Sequence, residues 1–429
     1  MTIKTSIAFI SGCLLIQTAN ASFQAQDPRA LGMGGVGTAA ANSAQAHFYN
    51  PSLLANARED EDFNFEIPVT LRAADPDNLV DSVSDFAAGE YFKKFNAALT
   101  AIDERLKTHD TNPITPGELD TLRGNLVTTA NGVRSGINSL SNKALAINGN
   151  GGLMTSVPNR DISWAAYVNL WADIGAKLNV DPRDDAEMGN YITALNDVTP
   201  GNILTALPTS PIERLYSTVS FDAVQITELG ISLAIPYQVN NYAFDIGLTP
   251  KYMAVKTYSF ERTLEQSEQD DEVIDLTNSK DYNSFNLDIG LSRKLGENWK
   301  SGLIIKNLIP QSFETPTGSD ASISPAVRIG TSYQNNWVTA GIDLDLTRND
   351  SAVSGEESQY LALGAELDVW LAKLRLGYRA NLASDNNNTV SSGLGLYLFG
   401  LNIDAAVAFG EGETGPNDIN AGLQVGLQW

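Results

Sequence analysis

The sequence has little of what disulfide scaffolds, zinc enzymes and nucleic-acid-binding proteins require. Its 429 residues include one Cys and two His, which excludes a disulfide scaffold and leaves almost no ligands for zinc. Lys and Arg number 28 against 51 Asp and Glu, so the net charge is −23 and direct binding to nucleic acid is disfavoured. Charged residues make up 18% of the chain, below the roughly 25% of soluble domains. No apolar run approaches the roughly 18 residues of a transmembrane helix.

Residues 1–21 have the pattern of a secretory signal peptide. Lys4 precedes a short apolar core at residues 7–16, and Ala19, Asn20 and Ala21 form a small-residue cleavage site. Two alternatives are a buried N-terminal strand and a lipoprotein signal ending at Cys13. We predict cleavage after Ala21. The exported chain would then contain no cysteine, which suits an oxidising compartment.

Residues 75–143 are predicted to form a helical insertion. Apolar residues recur there at steps of three and four, which places them on one face of each of two helices. Thr115, Pro116 and Glu118 occupy the N-cap, N1 and N3 positions at the start of the second helix. We expect an antiparallel helix pair whose apolar faces pack on each other. The alternative is a hairpin that docks on a membrane surface or a partner.

From residue 144 onward the sequence alternates apolar and polar residues with period two, which is typical of β-strands. The runs are long enough to cross a bilayer at a tilt, and we count about fourteen strands from residue 63 onward. A soluble sandwich alternates in the same way. A transmembrane β-barrel is favoured because the polar faces carry small residues and the alternation continues to the last residue. The last strand is expected to pair with the first and so close the barrel. Its apolar face ends in an aromatic residue and includes Leu423, Val425, Leu427 and Trp429.

Aromatic residues near predicted strand ends are expected at the membrane interfaces. They are Trp299, Trp337, Trp370, Tyr397, Phe399 and Trp429.

Residues 32–37 match the G-x-G-x-x-G pattern of dinucleotide-binding sites, and Glu59 follows at a suitable distance. The required context is missing, because Asp27, Pro28 and Arg29 interrupt the space for a preceding strand and no β-α-β alternation follows. We therefore expect no dinucleotide and no other cofactor.

The same segment carries a family resemblance. Residues 27–37 (DPRALGMGGVG) and 44–55 (AQAHFYNPSLLA) resemble the N-terminal region of the FadL/OMPP1-type outer-membrane barrels. Within that superfamily, these segments together with residues 248–252 (LTPKY) and 306–310 (KNLIP) are most similar to the group labelled putative conjugal transfer protein TraF. The resemblance spans nearly the whole exported chain.

The resemblance implies an all-β fold, an antiparallel transmembrane barrel of about 14 strands spanning residues 62–429. It also implies an N-terminal hatch, residues 22–61, inside the lumen. By the same resemblance Ser52 stands where the family has Ala, and the helical insertion is absent from the fatty-acid transporters, which leaves ligand class and direction open. The implied hatch motif consists of Gly32, Gly34, Gly35, Gly37, Phe48, Tyr49, Asn50 and Pro51.

Charged residues on the polar faces of three successive strands are expected to meet at the lumen wall. They form either a structural charge network or a polar binding or conduction site. They are Asp343, Asp345, Glu366, Asp368, Lys373, Arg375 and Arg379. An acidic stretch at residues 261–275 is predicted to be a solvated external loop, and its carboxylates could bridge to lipopolysaccharide through divalent cations.

No arrangement of catalytic residues emerges, so the sequence argues against an enzyme. We expect a passive channel for small hydrophobic molecules, such as fatty acids, in the outer membrane of a Gram-negative bacterium. The alternatives are a TraF-type structural or accessory component of a conjugation or secretion apparatus, and a soluble secreted β protein. The expected partners are outer-membrane lipid and lipopolysaccharide, the barrel-assembly machinery, a hydrophobic small-molecule ligand and conjugation or secretion components.

Overall fold

The structure, a computed structural model, describes residues 23–56, 62–75, 77–141, 143–159, 161–240, 242–264, 278–351, 357–384, 388–410 and 417–428. The predicted signal peptide, most of the acidic stretch at 261–275 and Trp429 lie outside these residues. Residues 23–56 pack inside the barrel, and we call them the hatch.

Fourteen of the strands form one closed antiparallel barrel, which confirms the predicted fold and strand number. These are β1–β7, β10, β11 and β14–β18; β8 pairs with β9 and β12 pairs with β13 in two small hairpins. The strands are β1 (Asn64–Ala74), β2 (Ala144–Val157), β3 (Ser163–Asn179), β4 (Thr218–Val239), β5 (Tyr242–Thr263), β6 (Ser279–Lys294), β7 (Trp299–Lys306), β8 (Gln311–Glu314), β9 (Asp320–Ile323), β10 (Ala326–Gln334), β11 (Val338–Asp345), β12 (Asn349–Asp350), β13 (Glu357–Ser358), β14 (Tyr360–Val369), β15 (Ala372–Asn381), β16 (Thr389–Leu398), β17 (Leu401–Gly410) and β18 (Asp418–Gln428).

The helices lie in the hatch and in two long connections. They are α1 (Pro28–Gly32), α2 (Ala46–Tyr49), α3 (Leu79–Gly89), α4 (Tyr91–Leu106), α5 (Pro116–Ser139), α6 (Pro182–Leu195) and α7 (Ile203–Ala206), with 3₁₀ turns at Pro51–Asn56 and Ile212–Arg214. No helix among the described residues is long and apolar enough to cross a membrane.

The barrel presents an apolar outer surface because strand residues alternate between its two sides. On β18, Leu423, Val425 and Leu427 face outward, whereas Gln424 between them is buried. β18 pairs with β1 from Asn64–Gln428 to Ala74–Asp418, and this pairing closes the barrel. An exposed surface of this size and composition fits contact with lipid rather than water.

The two ends of the barrel differ. Connections of two to five residues join strands at one end, and connections of up to 69 residues join them at the other. Short turns face the periplasm in bacterial barrels. At the short-turn end, exposed aromatic side chains form a girdle of Trp164, Tyr237, Tyr242, Trp299, Trp337, Trp370 and Phe399. Tyr397 is an exception to the predicted set, because its hydroxyl lies 3.4 Å from the lumen carboxylate of Asp404.

At the opposite end, α3–α6 form a cap with its own apolar core. Phe92 and Phe95 of α4 pack with Leu126 and Val133 of α5, as the spacing predicted for a helix pair. α3 precedes this pair, and α6 adds Tyr191 and neighbouring residues from the β3–β4 connection. The cap therefore combines two separate insertions, of which the sequence indicated one.

The predicted helix start at Thr115 is present. Its side chain accepts a hydrogen bond from the Glu118 amide at 3.3 Å, and Pro116 opens α5. The Glu118 carboxylate also forms an ion pair with Arg105 of α4 at 2.6 Å, so the first turn of α5 is linked to α4.

Candidate functional site in the barrel lumen

A belt of inward-facing glycines lets the hatch backbone lie directly on the barrel wall. Nine strands each contribute one glycine, three to six residues from the short-turn end of the strand. A Cβ added at any of them would approach a hatch atom more closely than ordinary contact allows. The glycine belt consists of Gly247, Gly290, Gly302, Gly330, Gly341, Gly364, Gly377, Gly393 and Gly422. The hatch therefore occupies the periplasmic half of the lumen.

The predicted hatch glycines take part in this close approach. Gly34 has φ +70 and lies against the wall, where an added Cβ would come within 2.8 Å of the Tyr378 carbonyl oxygen and 2.9 Å of that of Leu363. Gly35 has φ +91, a conformation that favours glycine. Gly32 lies against Gly393, and a Cβ at Gly37 would collide with the ring of Tyr49.

Asn50 joins two parts of the hatch to the wall. Its side-chain amide donates to the Thr38 carbonyl at 2.9 Å and to the Leu291 carbonyl of β6 at 3.0 Å. Its side-chain oxygen accepts from the amide and hydroxyl of Ser52, which shapes the turn begun by Pro51. The Asn-Pro element thus fixes the hatch at the point where it meets β5 and β6.

The aromatic part of the hatch is packed around a buried imidazole. The His47 ring lies 4.2 Å from Phe48 and 4.9 Å from Tyr167 of β3, measured between ring centroids. Neither ring nitrogen has a hydrogen-bond partner among the described residues. Burial lowers the pKa of His47 to about 3, with Lys306 as a second cause, so the ring is neutral. Tyr49 accepts a hydrogen bond from the Gln26 amide at 2.9 Å.

Asp343 of β11 anchors the hatch through its backbone. One carboxylate oxygen accepts the amide hydrogens of Gly37 and Thr38, each at 2.9 Å. The sequence placed Asp343 on a lumen face, but its partners are main-chain groups rather than charged side chains.

A buried chain of ion pairs connects the hatch to three strands. Arg29 of α1 contacts Glu366 of β14 at 3.0 Å and 3.2 Å through two guanidinium nitrogens. Glu366 also accepts from Arg375 of β15 at 2.7 Å, and Arg375 reaches Asp404 of β17 at 2.5 Å. All four side chains are at most 5% exposed. Burial is tolerated because each charge has an opposite partner.

The other predicted lumen charges form separate contacts. Asp345 pairs with Arg328 of β10, and Lys373 lies 3.6 Å from Asp368 and 4.0 Å from Glu366. Arg379 donates to Gln24 of the hatch at 3.3 Å and stacks on the Tyr360 ring. The seven residues are therefore divided among several groups along the wall.

Sequence reasoning missed the partners of these charges, namely Arg29, Arg328 and Asp404, and a second buried cluster. In that cluster Lys251 lies 3.4 Å from Glu228 and 3.2 Å from Asp288, across β4, β5 and β6. Asp404 lay on the polar face of an alternating run, so period two could have found it. Arg29 offered no such signal, because it lies in a hatch without alternation.

A cavity of about 120 Å³ lies on the other side of the hatch from the periplasm. Its floor comprises Gln24, Ala25, Gln26 and Leu31 of the hatch, and its wall includes residues of β1–β5 and β7. The β8–β9 hairpin packs on the inner wall nearby, in a cluster of Phe313, Ile323, Val224, Met253 and Trp171. The cavity thus lies between the hatch and connections that fold inward, such as the one that contains Ser351 and Ser358. Among the described residues, no group of three or more His, Cys, Asp or Glu could hold a metal ion.

Comparison with known proteins gives the family. The family model described as "F plasmid transfer operon, TraF, protein" matches residues 47–345. The chain belongs to this TraF family. No curated protein matches the chain.

Solved structures share the fold of this TraF-family chain. The toluene transporter TodX of P. putida matches with 12% identity over 95% of this chain and 99% of that chain, with a TM-score of 0.50. A FadL homologue of Pseudomonas aeruginosa matches with 12% identity over 94% and 98%, with a TM-score of 0.48. At this identity the likeness to TodX concerns the fold alone, a closed antiparallel β-barrel.

The TraF match covers only part of the lumen site. It includes the hatch residues Phe48–Pro51 and the wall residues Asp343 and Asp345, and it ends before Glu366 and Arg375. The Arg29–Glu366 contact therefore joins two residues that both lie outside the matched range.

Proposed function

We propose that this chain is a non-enzymatic, passive outer-membrane channel whose hatch controls passage. The observation that carries the proposal is the position of the hatch, packed on the glycine belt in the periplasmic half of the lumen with a cavity on its outer side. A solute that enters the cavity can reach the periplasm only if the hatch shifts. Diffusion through such a path needs no covalent step and no energy source.

The proposed permeants are small hydrophobic molecules such as fatty acids. The shared fold with a protein named a toluene transporter supports this class, as do Leu31, Trp171 and the Tyr360 ring in the cavity lining. Charged side chains in the same lining indicate that a permeant with one polar end would fit better than a pure hydrocarbon.

Proteoliposomes containing the purified chain test this proposal. We expect them to take up toluene or dodecanoate faster than protein-free liposomes, and faster still when the hatch is loosened by Gly364→Ala. Equal uptake with and without protein, for these compounds and for small polar solutes, would remove the channel proposal.

A second candidate is a structural or accessory role in a conjugation or secretion apparatus. The observation that favours it is the cap, which has its own apolar core outside the barrel, together with membership of a family named for a transfer operon. Replacing residues 79–139 by a short Gly-Ser loop separates the two roles. Loss of DNA transfer with unchanged solute uptake would support the accessory role, and unchanged DNA transfer would contradict it.

A further inference from the structure

The charged groups around the cavity are mostly satisfied by one another. Arg72 makes two-pronged contacts with Asp418, the shortest at 2.9 Å, and also donates to Asn148. Asp173 accepts from Asn148 and from Ser351. Lys251 is held by Glu228 and Asp288. These groups define a polar wall, but they do not offer a free hydrogen-bonding position to a ligand.

Four groups in the lining are different. The Lys306 ammonium has no carboxylate within ion-pair distance among the described residues, and it lies 5.9 Å from the centroid of the Phe23 ring. The Tyr360 hydroxyl and the side-chain oxygens of Asn150 and Asn307 are buried and lack a hydrogen-bond partner in the described part of the chain. Tyr360 is 1% exposed and Asn307 is 5% exposed, so water hardly reaches these two side chains.

The chemistry of these four groups specifies a ligand. An ammonium and a phenol hydroxyl donate hydrogen bonds and suit a carboxylate, whereas two amide oxygens accept and suit N–H groups. Leu31 and Trp171 add an apolar surface to the same lining. A cavity of about 120 Å³ is close to the ~150 Å³ cavity that holds one benzene molecule.

We propose that the cavity binds a small molecule with a carboxylate and an N–H donor at one end and an apolar group at the other, as in α-amino acids with apolar side chains. Lys306 and Tyr360 hold the carboxylate, and Asn150 and Asn307 accept the N–H groups. The inference rests on the proposed channel, since the site would be the step at which a solute is bound before the hatch shifts.

Isothermal titration of the full chain in detergent tests the site with three probes. L-Valine has both polar groups, 3-methylbutanoate has the same carbon skeleton without the amine, and toluene has neither group. We expect L-valine to bind at least about tenfold more tightly than 3-methylbutanoate, because the latter leaves buried amide oxygens unpaired. Toluene binding more tightly than L-valine, or no binding of L-valine, would overturn the inference.

Two variants assign the carboxylate contact. Lys306→Met should weaken L-valine binding about tenfold or more, because it removes a charged hydrogen bond. Lys300→Met is the matched control, since Lys300 lies on the same inward face of β7 but outside the cavity lining. Tyr360→Phe removes only the hydroxyl and should weaken binding several-fold, which keeps the test valid if Lys306→Met does not fold. Unchanged affinity in Lys306→Met or Tyr360→Phe would refute the assignment.

Uptake measurements distinguish failure of this site from failure of the channel. Liposomes that pass solutes while the purified chain does not bind L-valine would reject the site alone. Binding of L-valine by a chain that passes no solute would reject the channel and leave the site standing.

Discussion

Replacing Gly364 by Ala is expected to loosen the hatch while the barrel stays closed. The three hatch atoms nearest to a Cβ at this position all belong to Met33, with the Met33 Cβ at 2.7 Å and its carbonyl carbon at 2.8 Å. The Met33 carbonyl oxygen is closer still, and ordinary contacts begin at 3.4 Å, so the hatch must retreat from β14 by more than about 1 Å. Gly364 lies outside the positive-φ region, so β14 itself accepts Ala without backbone strain.

The size of the effect follows from the cost of overpacking. Forcing an extra methyl group into a packed contact costs roughly 1–3 kcal/mol. If this cost falls on the docked hatch alone, the fraction of molecules with a displaced hatch rises about 5- to 150-fold. Gly247→Ala on β5 meets Pro51 and Ser52 instead of Met33. Because the two positions contact different hatch segments, we expect their costs to add in the double variant.

Two measurements report hatch displacement. One is the permeability of proteoliposomes to small solutes. The other is the rate of maleimide labelling at Ala41→Cys, a hatch position that is 7% exposed. Cys13, the single cysteine of the chain, falls in the predicted signal peptide, so the introduced thiol would be the target in the exported chain.

Gly151→Ala on β2 is the control for adding a methyl group to a barrel strand away from the hatch. Gly151 pairs with the outward-facing Val69, and its nearest neighbours would lie at an ordinary 3.7 Å and 3.8 Å. We expect it to behave like the wild type in both assays. If Gly364→Ala matches Gly151→Ala in permeability and labelling, the glycine belt does not set the position of the hatch. If Gly364→Ala fails to form a heat-modifiable barrel on unheated gels, the clash acts on barrel assembly rather than on the hatch.

Three further predictions concern buried polar groups. Glu366→Gln leaves the buried guanidinium groups of Arg29 and Arg375 without their shared carboxylate. It should lower the free energy of unfolding by about 3–5 kcal/mol, measured by urea titration in detergent. A loss below about 1 kcal/mol would contradict the buried pairing. Arg72→Leu leaves the Asp418 carboxylate buried without its ion-pair partner where β1 meets β18, and it should lower the temperature at which the barrel unfolds on gels. Lys93→Leu, which removes an exposed ion pair, should leave that temperature unchanged. Because the pKa of His47 is lowered to about 3 from an unfolded value near 6.5, released hatches bind more protons below pH 6.5. Docking should therefore weaken as pH falls from 6.5 toward 3, by about 2 kcal/mol at pH 5. Labelling at Ala41→Cys should rise accordingly with a thiol reagent active in acid, and His47→Phe should remove this rise. Burial raises the pKa of the hatch residue Asp27, which acts in the opposite direction, so the variant should keep any dependence that comes from Asp27.

Much of the barrel could be predicted because period two assigns each strand residue to a side without knowledge of its neighbours. Leu423, Val425 and Leu427 face outward as their alternation predicts. The α4–α5 pair was equally accessible, since helical spacing is a local property. α6 was missed because it is a short helix within a long connection. Its apolar residues are buried only through contacts with α4 and α5, which lie far away in the sequence.

The lumen site depended on contacts that no local pattern encodes. Asp343 could be placed on the inner face, but its partners, the amides of Gly37 and Thr38, lie about 300 residues away in the chain. The glycine belt shows the same limit. Glycines on polar strand faces looked like ordinary small lumen residues, and their role as a surface for the hatch appears only when the backbone of residues 23–56 is laid against them.

The sequence by itself determined the class of the fold, because the shortage of charge, the absence of long apolar runs and the alternation of residues leave a barrel with an apolar outside and a polar inside. Family resemblance added the hatch. Only the tertiary structure decided which inner residues satisfy one another and which remain free. Arg72 and Lys306 are both cations that line the lumen in the folded chain. Closure of β1 on β18 brings Asp418 to Arg72, whereas Lys306 lines a cavity and has no carboxylate partner among the described residues. That difference arises from strand pairing between distant segments, and it separates a structural charge from a candidate binding group.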